Sequence, residues 1–294
     1  MYLFSLANTH KLAKQLCQKT EFKLGIYQKK QLSDGELYLQ ITTKITNQPV
    51  YVIGSTCQPN DNIFELLILI NALKENKAKK ITLIIPYFGY ARQDKIDRPG
   101  APITAKLIAQ LLKQSGINKF ITIDIHSQRD QKYLGPQIIN LLPFTLFTQY
   151  IKKNLSLKNT IIVAPDNGAK PRALKLASLL DNLPVIVMEK IRPKQNIAKI
   201  IKFKKNVKNK NIIIIDDMID TAGTIMAACQ QLKKQRVKNI YIFATHGILS
   251  GPALKRLKNP IIKKVVLTDS HPLPKISNKF KILSIKDLLI TVFK

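Results

Sequence analysis

An α/β fold made of two similar units, each a largely parallel sheet flanked by helices, follows from three observations. Short apolar runs alternate with amphipathic stretches along the whole chain, the pattern of strands connected through helices. The 294 residues suit two domains of about 140 residues, each large enough to bury its own core. After Pro143 the strand–helix plan starts again.

Taken in order, residues 50–54 read as a strand, and 62–75 as a helix with Asp61 at its N-cap. Residues 81–86 form the next strand, and 103–115 a helix closed by Gly116. Residues 120–125 are again a strand. In the second half, 160–164 is a strand, 171–180 a helix with proline in its first turn, and 185–188 a strand. Four isoleucines at 212–215 predict a strand buried on both faces. Residues 224–235 carry Ile225, Cys229 and Leu232 on one helical face, and 240–244 and 264–267 are strands. The loops 94–101 and 192–197 are expected to be mobile.

Composition excludes several classes. The longest apolar run, Leu66 to Ile70, is too short to span a bilayer, and the N-terminus does not read as a signal peptide. Three widely spaced cysteines, Cys17, Cys57 and Cys229, suggest neither a disulfide framework nor a metal clip and fit a reducing cytoplasm. The 48 basic and 18 acidic residues give a net charge of +30. The lysines are scattered and no basic motif is interleaved with aromatics, so no specific nucleic-acid partner is expected. Such a charge would still draw polyanionic substrates.

The most informative segment is Ile212-Ile-Ile-Ile-Asp-Asp-Met-Ile-Asp-Thr-Ala-Gly-Thr224. Asp216 and Asp217 are expected where the strand ends. The turn Asp220, Thr221, Ala222, Gly223 and Thr224 then leads into a helix. Small residues let backbone N–H groups close on a phosphate, and the helix N-terminus adds positive dipole. The acids beside this cradle suit sugar hydroxyls, so the string describes a ribose phosphate. Three further groups fall at strand ends, where ligands of open α/β sheets gather: His126, Asp166, and the Lys190/Arg192 pair. No Gly-x-x-x-x-Gly-Lys-Ser/Thr loop is present, which argues against a P-loop kinase.

The 212–224 string resembles the ribose-phosphate signature shared by type I phosphoribosyltransferases and ribose-phosphate diphosphokinases. Pro86-Tyr-Phe-Gly-Tyr-Ala-Arg-Gln-Asp94, Pro102-Ile-Thr-Ala-Lys106, Asp124-Ile-His126, Ala164-Pro-Asp166, Lys190-Ile-Arg192 and Ala244-Thr-His-Gly-Ile-Leu-Ser-Gly-Pro-Ala253 resemble the diphosphokinase group, in order, over nearly the whole chain. That resemblance implies two phosphoribosyltransferase type I-like domains: 1–142, the nucleotide side, and 143–294, the ribose 5-phosphate side, with the last helix a candidate for packing back on the first domain. It implies Mg²⁺-dependent diphosphoryl transfer from ATP to ribose 5-phosphate, giving PRPP and AMP. By position it implies His126 and Asp166 at the metal, and Asp34, Gly35, Glu36, Arg92 and Gln93 at ATP. Lys190 and Arg192 match the catalytic loop, Arg192 also serving the ribose 5-phosphate site with Asp216, Asp217 and Asp220 through Thr224. A cytoplasmic homo-oligomer follows, a hexamer built from dimers, with the loop around Asp34 reaching a neighbouring subunit.

Several positions depart from the family pattern. Leu32 stands where an aromatic is usual, which weakens stacking on adenine. Arg129 replaces a glutamine, the 94–101 loop carries fewer arginines, and the serine-bearing tail of many members is missing. These features lead to an expectation of weak regulation by phosphate and ADP. The rival readings are a phosphoribosyltransferase that consumes PRPP and a non-catalytic subunit resembling the synthetase. Arg92-Gln93, Asp166 and the Lys190/Arg192 pair speak against the first, and the intact catalytic loop and 220–224 turn against the second.

Overall fold

Parallel sheets are covered on both faces, so their strands must be apolar throughout. Ile212, Ile213, Ile214 and Ile215 meet that demand with at most 1% exposure. Leu83, Ile84 and Ile85 do the same in the first half of the chain. The computed structural model describes residues 1–191, 200–202 and 206–293. They divide into unit 1, Met1–Leu142 with Lys286–Lys294, and unit 2, Pro143–Ile285.

Unit 1 runs β1 (Tyr2–Ser5), a 3-10 turn, α1 (His10–Cys17), β2 (Lys23–Leu24), β3 (Tyr27–Gln31), β4 (Leu37–Ile41), β5 (Pro49–Ile53), α2 (Asp61–Glu75) and β6 (Lys80–Ile85). It continues with α3 (Thr104–Gln114), β7 (Lys119–Ile123), α4 (Gln128–Leu134) and β8 (Ile138–Leu141). Unit 2 runs α5 (Phe144–Asn154), β9 (Thr160–Ala164), α6 (Lys170–Ser178), β10 (Val185–Val187), β11 (Glu189–Ile191) and β12 (Ile200–Lys202). There follow β13 (Asn211–Ile219), α7 (Gly223–Lys234), β14 (Asn239–Gly247), α8 (Ala253–Leu257), β15 (Ile262–Thr268) and β16 (Phe280–Leu283). The last helix, α9 (Lys286–Ile290), belongs to unit 1, where Phe293 meets Phe22 and Tyr51 edge-on at 4.9 and 5.6 Å.

Each unit holds a six-stranded sheet, ordered β2-β1-β5-β6-β7-β8 and β10-β9-β13-β14-β15-β16. Every pairing within the two sheets is parallel. Each unit also carries one antiparallel hairpin, β3–β4 or β11–β12, between its second and third sheet strands in chain order. The two units are therefore topological copies. In such an order the crevice for ligands opens where the connection reverses direction, between β1 and β5 and between β9 and β13.

Two details differ from the sequence reading. Helix α2 is preceded by Asn60 as N-cap, and Asp61 is its first helical residue. The Asn60 amide oxygen is instead occupied by the Tyr90 hydroxyl and the Gln58 amide, both at 2.7 Å. Strand β13 also runs on to Ile219, so Asp216 and Asp217 lie within the strand and not beyond it. The reason is one-sided pairing: the ladder to β9 ends at Ile214, while the ladder to β14 continues to Ile219. Acids that a two-sided strand would exclude are tolerated there.

Unit 1 ties its own crevice loops together. Asn8 Nδ2 donates to the Ser55 carbonyl at 2.8 Å, and Thr9 Oγ1 to the Ile53 carbonyl at 2.8 Å. The loop after β6, which carries Arg92 and Gln93, passes so close that Gly89 N donates to Thr56 Oγ1 at 2.7 Å. A Cβ on Gly89 would fall 1.9 Å from the Thr56 carbonyl oxygen. Gly89→Ala must then push two loop backbones apart and is expected to cost about 3 kcal/mol or more. Urea unfolding measures this directly, and an unchanged midpoint would contradict the packing described.

Candidate functional site

The projecting end of β13 builds the unit 2 site. The Asp217 amide donates to Asp216 Oδ1 at 3.0 Å, and the Met218 amide to Asp217 Oδ1 at 2.8 Å. Burial, then the charge and hydrogen bond of Asp217, then the charge of Asp166 hold the Asp216 carboxyl well above the usual carboxylate range, opposed by the Asp217 amide. Asp166 follows β9, on the other side of the crevice, with its Oδ1 accepting from the Ala169 amide at 3.2 Å. Arg172 of α6 lies 3.9 Å from Asp217, a loose pairing that offsets part of the negative charge.

Past Ile219 the chain turns into α7. Ala222 adopts the left-handed conformation, φ +59°, unusual for a residue with a Cβ and of the kind that turns successive N–H groups toward one point. Gly223 starts the helix, and a Cβ there would have only ordinary contacts, at 3.6 Å to Thr221 Oγ1 and 3.7 Å to Arg256 Nη1. The turn is braced from the segment after β14. The Ile248 and Leu249 amides both donate to the Ile219 carbonyl at 3.0 Å, and the Ser250 hydroxyl donates to Asp220 Oδ1. Asp216, Asp217 and the 220–224 turn therefore sit on one continuous strand–turn–helix, with Asp166 across the crevice. Lys190 lies on β11, paired with Ile201 of β12, and β12 runs beside α7. Arg192, and with it the expected mobile loop 192–197, lies outside the described residues.

In unit 1 the Asp34, Gly35 and Glu36 triplet forms the exposed tip of the β3–β4 hairpin. The Glu36 amide donates to Asp34 Oδ1 at 3.0 Å, and Gly35 has φ +92°. Gln93 is fixed at the start of α3, where its Oε1 accepts from the Thr104 hydroxyl at 2.6 Å. Arg92 beside it is exposed. His126 follows β7 and lies close enough to Asp94 and Asp130 for its charge to act on both. Arg129 Nη1 binds Asp94 Oδ2 at 3.2 Å, and the Tyr133 hydroxyl donates to the Asp94 carbonyl at 2.9 Å, tying the Arg92–Gln93 loop to α4. Burial would raise the Asp94 carboxyl, but Ser127, Arg129 and His126 together hold it below its ordinary value.

Among the described residues no group of three or more metal-type side chains converges. Of the two residues expected at a metal, His126 belongs to unit 1 and Asp166 to unit 2. The donor chemistry nevertheless fits a hard divalent cation: the carboxylates of Asp166 and Asp216 already repel one another, and a cation would relieve that repulsion.

Comparison with known proteins fixes the relationship. Residues 1–116 match the N-terminal domain of ribose phosphate pyrophosphokinase, and residues 145–272 match the phosphoribosyl transferase domain. The chain belongs to the ribose-phosphate pyrophosphokinase family. It is 40% identical over 290 residues to the ribose-phosphate pyrophosphokinase of Bacillus subtilis, covering 98% of this chain and 91% of that one. It is 39% identical over 293 residues to the enzyme of the same name from Campylobacter jejuni, covering 99% and 94%. The crystal structure of phosphoribosylpyrophosphate synthetase from Mycobacterium smegmatis superposes with a TM-score of 0.91 at 32% identity, covering 99% of this chain and 96% of that one. The fold is thus that of a ribose-phosphate pyrophosphokinase, two phosphoribosyltransferase-like units.

In this family member, sequence reasoning missed Arg172, Ser250 and Arg256 around the unit 2 signature, and Asp94 and Asp130 beside His126 in unit 1. Only Asp130 had a readable local signal. Ser127-x-x-Asp130 is a capping box, in which the Ser127 hydroxyl accepts from the Asp130 amide and Asp130 Oδ2 accepts from the Ser127 amide, both at 3.2 Å. Asp130 is fully buried, and among the described residues its Oδ1 has no hydrogen-bond partner.

Burial first, with the Asp94 charge adding to it against the Ser127 bonds and the His126 charge, raises the Asp130 carboxyl from 3.8 to about 6. A raised value means that the folded state holds the proton more tightly than the unfolded chain does. The resulting stabilisation is complete below about pH 4 and is lost as pH rises through about 6. At pH 7.5 the buried carboxylate is a cost. Asp130→Asn is expected to be more stable than the parent at pH 7.5, by about 2 kcal/mol, with the advantage shrinking toward pH 5. Urea titrations at the two pH values check this, and a pH-independent difference would refute it.

Proposed function

We propose that this family member makes PRPP by transferring a diphosphoryl group from ATP to the 1-hydroxyl of ribose 5-phosphate, with Mg²⁺, releasing AMP. The observation that carries the reading is the strand–turn–helix of β13 and α7. One segment offers acids for vicinal hydroxyls and, four residues on, a turn of small residues for a phosphate. Those two functions on a single rigid element match the two ends of a ribose phosphate.

The reaction forms a bond between O1 of the sugar and the β-phosphorus. It breaks the bond from the β-phosphorus to the oxygen bridging to the α-phosphorus, and that oxygen leaves with AMP. The hydroxyl proton is lost to solvent. Such transfers depend on in-line positioning and charge neutralisation more than on covalent catalysis. Asp216 and Asp217 orient the ribose through its hydroxyls, and the N–H groups of residues 220–224 hold the 5-phosphate. Asp34, Gly35, Glu36, Arg92 and Gln93 are assigned to the nucleotide. Lys190 and Arg192 stabilise the charge that grows on the bridging oxygen as the bond breaks. Mg²⁺, for which His126 in unit 1 and Asp166 in unit 2 are each a candidate ligand, would supply charge neutralisation on the phosphate oxygens.

We read the enzyme as a cytoplasmic homo-oligomer. Leu32, Tyr38 and Phe64, exposed beside the β3–β4 hairpin, support its working against a second copy of the chain. Free Cys17, Cys57 and Cys229 suit a reducing compartment.

The deciding assay incubates the protein with Mg²⁺, ATP and ribose 5-phosphate. AMP and PRPP should appear in equal amounts; PRPP consumed in place of formed would favour a phosphoribosyltransferase, and no turnover a non-catalytic subunit. Lys190→Ala is expected to lower kcat by about 100-fold or more with the KM for ATP changed only a few-fold, since its charge is needed mainly in the transition state. A kcat near that of the parent would remove Lys190 from the mechanism.

A further inference from the structure

We propose that Arg256 is part of the sugar-phosphate site, a cation that meets the 5-phosphate of ribose 5-phosphate from beside the 220–224 turn. The inference rests on the reading of that turn given above and adds to it a residue more than thirty positions away in sequence.

Helix α8 positions the side chain. Ala253 and Leu257 are fully buried and fix the helix to the unit 2 core, while Arg256 is exposed. The preceding segment is held by the two amide bonds from Ile248 and Leu249 to the Ile219 carbonyl, and Leu249 is itself in the left-handed region with φ +56°. From this fixed base Arg256 reaches across so that Nη1 donates to the Thr221 carbonyl at 2.8 Å. The same nitrogen would lie 3.7 Å from a Cβ on Gly223, so the guanidinium stands at the edge of the cradle.

That contact engages one of the five N–H donors of a rigid planar fork and leaves its charge uncommitted. Among the described residues no carboxylate lies within ion-pair distance of Arg256. Asp220, one residue from the carbonyl it binds, is hydrogen-bonded by Ser250. Arg172, also on unit 2, is directed to Asp217 at 3.9 Å.

Charge balance gives the uncommitted cation its role. A sugar 5-phosphate is close to a dianion at neutral pH. The 220–224 turn offers neutral N–H donors, and the acids Asp216, Asp217 and Asp220 stand on or just before it. A dianion placed there needs an opposing charge, and arginine supplies it with bidentate geometry suited to phosphate oxygens. The Thr221 bond preorganises the fork, so little side-chain freedom remains to be lost when the phosphate arrives.

Three substitutions test the proposal at constant ionic strength. Arg256→Gln keeps a donor for the Thr221 carbonyl but loses the charge, Arg256→Ala loses both, and Arg256→Lys keeps the charge without the fork. KM values for ribose 5-phosphate and ATP are measured, together with calorimetric binding of ribose 5-phosphate and of inorganic phosphate. The Gln and Ala variants should both weaken ribose 5-phosphate by about 10- to 100-fold in KM and in direct binding, with the KM for ATP within about twofold and the Lys variant intermediate. Inorganic phosphate should weaken in parallel. A Gln variant equal to the parent would show that Arg256 only braces the turn and would overturn the proposal while leaving the proposed function standing. A parent protein that neither binds ribose 5-phosphate nor forms PRPP would overturn both.

Discussion

The unequal pairing of one strand governs the unit 2 site. Strand β13 is gripped from both sides only as far as Ile214, and beyond that it holds to β14 alone up to Ile219. Ile212, Ile213 and Ile214 at the base are fully buried because two neighbours and two faces close on them. The following residues have one open side, and there the chain can carry Asp216 and Asp217. Had β9 been two residues longer, the acids would have faced a strand instead of a crevice. The backbone ladder to β14 also fixes where the turn begins, since Ile219 is both the last paired residue and the acceptor for the Ile248 and Leu249 amides. The orientation of the 220–224 turn is in this sense inherited from a sheet register.

The two units share one topology and use it differently. In unit 1 the loops after β1 and β5 are tied by Asn8 and Thr9 to Ser55 and Ile53, and Gly89 is packed against Thr56. The same places in unit 2 carry Asp166 and the 220–224 turn. The hairpins diverge likewise: β3–β4 presents Asp34 to Glu36 at an exposed tip, while β11–β12 carries Lys190 on β11 and sets β12 beside α7. The same switch point is tied with hydrogen bonds in unit 1 and carries acids and a turn of small residues in unit 2. Fold alone would not have told the two apart; the side chains at the strand ends do.

The strands were legible because parallel sheets impose long apolar runs, and the isoleucine run at 212–215 shows this at its clearest. Their ends were not. Two adjacent aspartates normally close a strand, and only the pairing partner reveals that β13 continues. Asp61 looked like an N-cap because capping is a local habit, but the tertiary contacts of Asn60 with Tyr90 and Gln58 moved the boundary. The β3–β4 hairpin was invisible to periodicity, since Lys29, Lys30 and Gln31 on one strand are exposed and polar. The turn at 220–224 leading into a helix could be read from its residues. What braces it could not be, because Ser250 and Arg256 come from 30 and 35 residues away.

The cost of this arrangement falls where ligands would bind. Ala222 is held at positive φ, a conformation that costs a residue with a Cβ about 1–2 kcal/mol. Asp216 is kept next to Asp217 and within reach of Asp166, and burial and their mutual repulsion raise its carboxyl while Arg172 offsets part of the charge at Asp217. Neither feature stabilises the empty protein. On the proposed function both would become favourable when a sugar phosphate and a cation bind, because binding free energy can offset strain and repulsion in the folded chain. The hydrogen bonds that brace Ile219, Asp220 and Thr221 keep the strained turn in place meanwhile. Rigidity supplied by β14 and α8 is therefore what allows β13 to hold charges that a looser strand would spread apart.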